Sequence, residues 1–262
     1  MGQVQVLVSV MNQTDRTILD QMGIRSDTIV INQCQKTQKQ VFEYKGHTIQ
    51  WYDFEEKGAA LSRNTALNRV SASYGIFADD DIRYVNGYED MIALEFEKHP
   101  EADVILFNVK SLNPQREIRL HNNWERVRIW NGLRYGTFNI AFRTEKIKKK
   151  NISFHLLFGG GGQFGSGEDT LFIADLLKNN IRVYRSPKII ATAGQESSTW
   201  FHGYNEKYLF DKGVLFSAIF PKAAFLYTLR YLLKYKNEYK TNFSTKKAWQ
   251  ILRKGTNYWK SL

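Results

Sequence analysis

Residues 74–84 read Tyr-Gly-Ile-Phe-Ala-Asp-Asp-Asp-Ile-Arg-Tyr. Tyr74–Ala78 is an apolar run of strand length that passes straight into Asp79, Asp80 and Asp81. Three consecutive carboxylates after a buried strand repel one another unless a positive charge sits among them. Hard divalent cations such as Mg²⁺ or Mn²⁺ take oxygen ligands, commonly one or two carboxylates together with substrate phosphates. In open α/β sheets, ligands bind outside the carboxyl ends of the strands, which is where the triplet falls. The stretch therefore points to a metal-diphosphate site in an α/β fold, with a solvated acidic turn as the alternative.

The flanking sequence has the alternation that such a fold needs. Apolar runs at Val4–Val10, Asp27–Asn32, His47–Tyr52 and Ala102–Val109 predict strands. Helical spacing is read over Thr14–Met22, Ala59–Ala72 and Gly87–Lys98. This order over residues 1–110 predicts a mostly parallel, Rossmann-like sheet flanked by helices. Further strands are expected near Ile118–His121, Thr137–Phe142, Ile181–Tyr184 and Lys188–Thr192, with a helix over Glu168–Lys178 and helical signal from Tyr204 onward. There is no internal repeat and no low-complexity linker.

A second feature is Gly165-Ser166-Gly167-Glu168-Asp169-Thr170, which follows the glycine run Gly159–Gly162. One reading is local: Ser166 with Asp169 imitates a capping box, and acids in a first helical turn suit the helix dipole. The other places Asp169 at the mouth of a glycine loop as a general base, with Glu168 beside it and Gly161 in a lid. Arg63, in Leu61-Ser62-Arg63-Asn64, is either an ordinary surface arginine or one that reaches phosphate.

The formal charge is +11, but it is not spread evenly. Residues 222–262 hold ten Lys and Arg against one acid, Glu238, while the rest of the chain has 27 basic and 25 acidic side chains. The body is nearly neutral, which argues against nucleic acid as the partner. The tail, residues 211–262, reads as basic amphipathic helices rich in aromatics. Lys222 and Arg230 interrupt its apolar residues too often for a membrane span. The mixture suits helices lying on an anionic membrane surface, or a solvated basic face packed on the domain. No secretory signal is read at the start, so a cytoplasmic protein, peripheral at the inner face of the cell membrane, is expected.

Several other chemistries are excluded. Cys34 is the single cysteine, so there is no intramolecular disulfide framework or cysteine-rich zinc site. The five histidines lack zinc-ligand spacing. Gly160, Gly162 and Gly165 spell GxGxxG, but no acid lies between Asp175 and Glu196 to bind a ribose, which argues against NAD. There is no GxxxxGK[ST], HExxH or GxSxG.

Taken together, VQVLVSVMNQ, KGAALSRNTALNRV, FADDDIRY, GSGEDTLF and the later SSTWFHGY resemble the family-2 glycosyltransferases of the GT-A fold, in particular bacterial ones that build surface polysaccharides. The resemblance covers about residues 3–210. It implies a nucleotide-sugar half over about 1–110 and an acceptor half over about 111–210. It also implies inverting transfer of a sugar from a nucleotide-diphospho-sugar, UDP by default, to a saccharide hydroxyl in capsule or exopolysaccharide synthesis, the acceptor being carried on a lipid. Asp79 and Asp81, with Asp80 between them, would hold Mn²⁺ or Mg²⁺; Asp79, Asn12 and Arg63 would contact the donor. Asp169 would be the base, and Trp200 and His202 would line the acceptor side, His202 as a conceivable further metal ligand.

One departure is clear. Many members end the second strand with an acidic pair that helps hold base and ribose, and here that place reads Asn32-Gln33-Cys34. Two rival readings remain at this stage. A sugar nucleotidyltransferase would need a glycine-rich loop after the first strand, where Met11-Asn12-Gln13-Thr14-Asp15 stands instead. A non-enzymatic basic membrane-surface adaptor explains the tail but not the aspartate triplet.

Overall fold

The structure is a computed structural model that describes residues 2–194 and 203–262. Trp200 and His202 lie outside the described residues. Along the chain, β1 (Val4–Met11), α1 (Ile18–Gln21), β2 (Asp27–Gln33), β3 (Gln38–Tyr44), β4 (His47–Phe54), α2 (Ala59–Arg69) and β5 (Tyr74–Asp79) come first. They are followed by β6 (Ile82–Tyr84), α3 (Tyr88–Lys98), β7 (Val104–Ser111), β8 (Glu125–Arg126), β9 (Ile140–Arg143), α4 (Thr144–Lys150), α5 (Glu168–Lys178) and β10 (Val183–Ala193). Four helices end the chain: α6 (Glu206–Ile219), α7 (Ala224–Lys234), α8 (Lys236–Tyr239) and α9 (Thr245–Ser261).

The strands form one sheet in the order β3-β4-β2-β1-β5-β9-β7-β10-β6, with β8 beside β10. β4, β2, β1 and β5 pair in parallel, as do β7 and β10. β9 runs antiparallel between β5 and β7, so six of the ten strands share one direction. Strands buried on both faces read as continuous apolar runs, and β1 is of this kind. Val4, Val6, Val8 and Val10 face a core shared with Ile18, Leu19, Ile92 and Phe96 of α1 and α3. Leu7 faces the opposite core, built with Ala66 and Leu67 of α2 and Phe172 and Leu176 of α5. Phe77 of β5 anchors that second core, its ring centroid 5.1 Å from those of Phe142 and Phe154 and 5.7 Å from that of Phe172.

The structure amends several expected elements. The helix read over Thr14–Met22 is only α1, because Asp15 Oδ1 accepts from both the backbone N–H and the hydroxyl of Thr17, at 2.8 and 2.6 Å, and makes an Asx turn instead of a first helical turn. The helix from Ala59 stops at Arg69. Ile118–His121 is no strand. Of Thr137–Phe142, residues Thr137–Asn139 form a 3-10 turn and only Ile140–Arg143 a strand. The two strands expected at Ile181–Tyr184 and Lys188–Thr192 are one, β10, whose register against β7 slips between Arg185 and Ala191, around Pro187.

The C-terminal helices are joined to the body. Val214, Leu215 and Ile219 of α6 pack with Phe158, Phe164 and Leu171. α9 crosses α6 with its backbone in contact: a Cβ on Gly213 would lie 2.0 Å from Leu252 O, and one on Gly255 would lie 2.1 Å from Phe210 O. Only glycine permits that approach. No described helix is long and apolar enough to cross a membrane.

Candidate active site

The parallel strands β1 and β5 end side by side, with Ser9 opposite Asp79 in the register. Their carboxyl ends open into a cavity of about 760 Å³ lined by Arg63, Asp79, Asp80, Glu168 and Asp169, among others. Asp79, Asp80 and the start of α5 are thus brought to one place, although Asp79 and Asp169 are 90 residues apart in sequence.

Arg63 makes the connection. Its guanidinium, on α2 and only 7% exposed, donates to Asp79 Oδ1 at 2.7 Å and to Glu168 Oε1 at 2.9 Å. A planar fork suits such a two-carboxylate bridge better than the point charge of a lysine. The paired carboxylates hold Arg63 firmly charged, more than offsetting its burial, and raise its pKa. Its neighbour Asn64 is a fastener: the side chain donates to Phe154 O at 2.8 Å and accepts from Phe154 N at 2.7 Å. That pair ties the segment before the glycine run to α2.

Asp169 occupies the first turn of α5, after Gly167 in the left-handed region at φ 114°. Its Oδ1 accepts from Thr170 N at 2.6 Å and from Thr170 Oγ1 at 3.2 Å. Desolvation is the larger cause, and the adjacent charge of Glu168 the second, of a pKa pushed up to about 6. A carboxylate poised there can take a proton near neutral pH. Asp80 is also raised, first by desolvation and then by the charges of Asp79 and Asp81.

The glycine run closes this side of the cavity. Gly160 O accepts from Ala59 N at 2.9 Å, and a Cβ on Gly161, whose φ is 84°, would lie 2.9 Å from Gly58 Cα. The run therefore rests directly on the amino end of α2. Gly160, and not Gly161, is among the lining residues.

Other expected contacts fall less directly on the cavity. Asn12 and the Asp81 side chain are exposed and are not among its lining residues, where Ser9, Val10, Met11 and Gln33 stand instead. Asn12 has φ 53° and donates its backbone N–H to Gln33 O at 3.0 Å. An acid does stand beside the end of β2, on the neighbouring strand of the sheet: Asp53 of β4, 1% exposed and not among the cavity's lining residues, sits opposite Asn32. Asp53 Oδ1 accepts from Asn32 Nδ2 at 2.7 Å and from Trp51 Nε1 at 3.0 Å, and Lys36 Nζ lies 3.1 Å from its other oxygen. Asn32 also fastens Gln13, exchanging hydrogen bonds with its backbone at 2.9 Å. Arg119, Arg134 and Arg185 line the cavity as well, from irregular segments and from the interrupted β10.

The donors present are carboxylate oxygens. Among the described residues, no group of three His, Cys, Asp or Glu side chains could hold a metal ion by itself. The triplet fits the kind of site in which one or two carboxylates share a hard cation with substrate phosphates. The mutual repulsion that raises Asp80 is what such a cation would relieve.

This architecture is that of solved glycosyltransferases with the GT-A fold. TarS of S. aureus, residues 1–349, is matched with a TM-score of 0.62 at 15% identity, covering 99% of this chain and 92% of that one. The same protein in complex with UDP-GlcNAc gives a TM-score of 0.59 at 17% identity, over 99% of this chain and 73% of that one. A mannosyltransferase from Pyrobaculum calidifontis, PcManGT, solved with GDP-Man and Mn²⁺, gives 0.51 at 12% identity, over 99% and 75%. The chain spans 43% of the longer TarS chain. At such identities the likeness is one of fold. No protein-family profile matches the chain, and no curated protein matches it by sequence.

Proposed function

We propose that the chain is a glycosyltransferase that moves a sugar from a nucleotide-diphospho-sugar to a hydroxyl of a saccharide acceptor. The observation that carries this reading is the Arg63 bridge, which joins the strand-end Asp79 to Glu168 and so seats Asp169 on the wall of the same cavity. Neighbouring folds solved with UDP-GlcNAc, UDP and GDP-Man support it. In the reaction, Asp169 takes the proton of the acceptor hydroxyl as its oxygen bonds to the anomeric carbon. The bond from that carbon to the diphosphate breaks, and the nucleoside diphosphate leaves with the electron pair. Attack from the face opposite the leaving group inverts the anomeric centre.

Asp79 and Asp81 are the residues proposed to hold Mn²⁺ or Mg²⁺, which would offset charge on the leaving diphosphate. Arg63 holds Asp79 in place through its 2.7 Å ion pair. Asp53 and Asn32 stiffen the end of the sheet where base and ribose are expected. The acceptor is proposed to be lipid-linked and met at the inner membrane face, in the synthesis of a bacterial surface polysaccharide. Phe225, Leu226, Leu229 and Leu233 of α7 support that placement: they are 41–71% exposed, in a tail with ten basic side chains.

Melting temperature with UDP, GDP, CMP and ATP, each with and without Mn²⁺, tests the reading. A ligand at 100 times its Kd adds about 2.7 kcal/mol, enough for a clear shift. A Mn²⁺-dependent shift with one nucleotide diphosphate, lost in Asp81→Ala, is expected. No shift with any nucleotide would remove the donor site and with it the proposal.

A further inference from the structure

The active-site cavity does not end at Asp169. A smaller cavity of about 260 Å³ shares Arg134, Tyr135, Gly160, Glu168 and Asp169 with it, and continues to Thr170 and Lys212. From there a groove of about 290 Å³ runs between α6 and α7, sharing Leu133, Arg134, Thr170 and Lys212. The three spaces thus adjoin one another from the base to the C-terminal helices. Resting on the glycosyltransferase reading, we propose that this groove binds the phosphate of an amphiphilic acceptor, a phosphate or diphosphate on a hydrocarbon chain, whose sugar end reaches Asp169.

The groove's charge calls for an anion. Arg134, Lys212, Arg230 and Lys234 line it. None of the four has a hydrogen bond or ion pair among the described residues; Lys212 lies over the Tyr208 ring at 5.1 Å and Lys234 over that of Tyr235 at 4.9 Å. Three acids act on Lys212, Asp169 most strongly and then Asp211 and Glu168, and none of them forms an ion pair with it among the described residues. Asp211 accepts from Lys207 Nζ at 2.6 Å and from Gly165 N at 3.0 Å, while Glu168 belongs to Arg63. Desolvation lowers the pKa of Lys212, the mark of a cation short of compensation. A phosphate group would restore both the charge balance and the hydrogen bonds.

The walls call for a hydrocarbon. Tyr227 stacks on Phe220 with centroids 3.6 Å apart, and both line the groove. Turning outward from the same helix, Phe225, Leu226, Leu229 and Leu233 are exposed. α7 is therefore one wall with two uses: its outer face suits a bilayer, and its inner face holds cations and aromatics beside the spaces that adjoin the base. A soluble sugar phosphate would need the cations but not the apolar outer face.

The test is calorimetric titration of the full chain, saturated with UDP and Mn²⁺, using geranyl diphosphate as the probe. Binding is expected to persist under UDP saturation and to weaken by about tenfold or more in Arg230→Gln/Lys234→Gln and in Lys212→Met, the size of losing a hydrogen bond to a charged group. The double variant changes only exposed side chains, so it reports even if Lys212→Met folds poorly. Geranyl diphosphate that competes with UDP, or that binds the variants as tightly as wild type, overturns the proposal. So does inorganic pyrophosphate or a sugar 1-phosphate binding as tightly as the prenyl compound, which would mark a soluble acceptor. Absence of UDP binding is a separate result: it removes the donor site, while probe binding in the variants still reports on the groove.

Discussion

Replacing Asp169 by Asn should inactivate transfer and stabilise the fold, and the two effects have one cause. The native pKa of Asp169 is about 6, against 3.8 for an unperturbed Asp. Between those values the native state keeps a proton that the unfolded chain has released. Wild-type stability therefore falls as pH rises from about 4 to about 6 and is level above that window. A difference of about two units corresponds to roughly 3 kcal/mol at most. Asn is neutral at every pH, and its Oδ1 can still accept from Thr170 N, which now lies 2.6 Å from the carboxylate. At about pH 7.5 the variant should be more stable by up to roughly 3 kcal/mol, or about 5 °C in Tm for a chain of this length. At about pH 4 the two proteins should melt together. Scanning calorimetry at both pH values, with transfer measured alongside, makes the comparison. The same carboxylate should set the acid limb of kcat/KM near pH 6 in wild type. An Asn variant less stable than wild type at neutral pH, or equally shifted at both pH values, would refute the assignment of a costly buried charge.

Other substitutions test neighbouring parts of the site. Arg63→Met leaves Asp79 and Glu168 without their shared cation and should cost about 3–5 kcal/mol, read by urea unfolding; Arg63→Lys should recover only part, since an ammonium cannot reproduce the fork. Stability in Arg63→Met equal to wild type would mean that the bridge carries no energy. Asn64→Ala, which breaks both fastenings to Phe154, should lower stability by about 1–3 kcal/mol, and no change would show the segment held by other contacts. Phe225→Ser/Leu229→Ser should weaken sedimentation with vesicles containing anionic lipid, and added salt should weaken wild-type binding further. Equal binding by variant and wild type, at low and high salt, would move the membrane contact away from α7.

Much of the fold was legible because its strands are buried on both sides. Val4–Met11, apolar but for Gln5 and Ser9, and Tyr74–Ala78 announce themselves as strands, and the helix from Glu168 to Lys178 coincides with its expected span. β3 was not legible, since Gln38–Tyr44 lies at the sheet edge and offers mostly polar residues, with its one valine, Val41, 57% exposed. The site was half legible. Asp79 and Asp169 stand out through their neighbours in sequence, and Arg63 through the residues around it. Its role does not: the partner Glu168 is 105 residues away, and only the fold brings them within 2.9 Å. Asp53 was missed for a similar reason, because an acid was sought at the end of β2 and the one beside it lies across the register on β4. Lys212 gave no signal at all, being one lysine in a helical stretch whose significance comes from the two adjoining spaces that the fold brings to it.

The distribution of charge around the cavity gives these pieces one logic. Asp79, Asp80, Glu168 and Asp169 make an acidic wall of the cavity, and the buried Arg63 bridges two of them, Asp79 and Glu168. A diphosphate brought to that wall alone would be repelled, so an acidic strand end suits it only together with a divalent cation. Arg119, Arg134 and Arg185 line the cavity as well, the last already paired with Glu125. Arg134 alone borders all three spaces, the large cavity, the passage beside Asp169 and the groove under α7. It stands where an acceptor phosphate in the groove and a donor diphosphate in the cavity would come nearest each other. If the two anionic substrates proposed above meet at Asp169, a cation at that junction lowers the repulsion between them, and its loss should weaken each more when the other is bound than when it is absent.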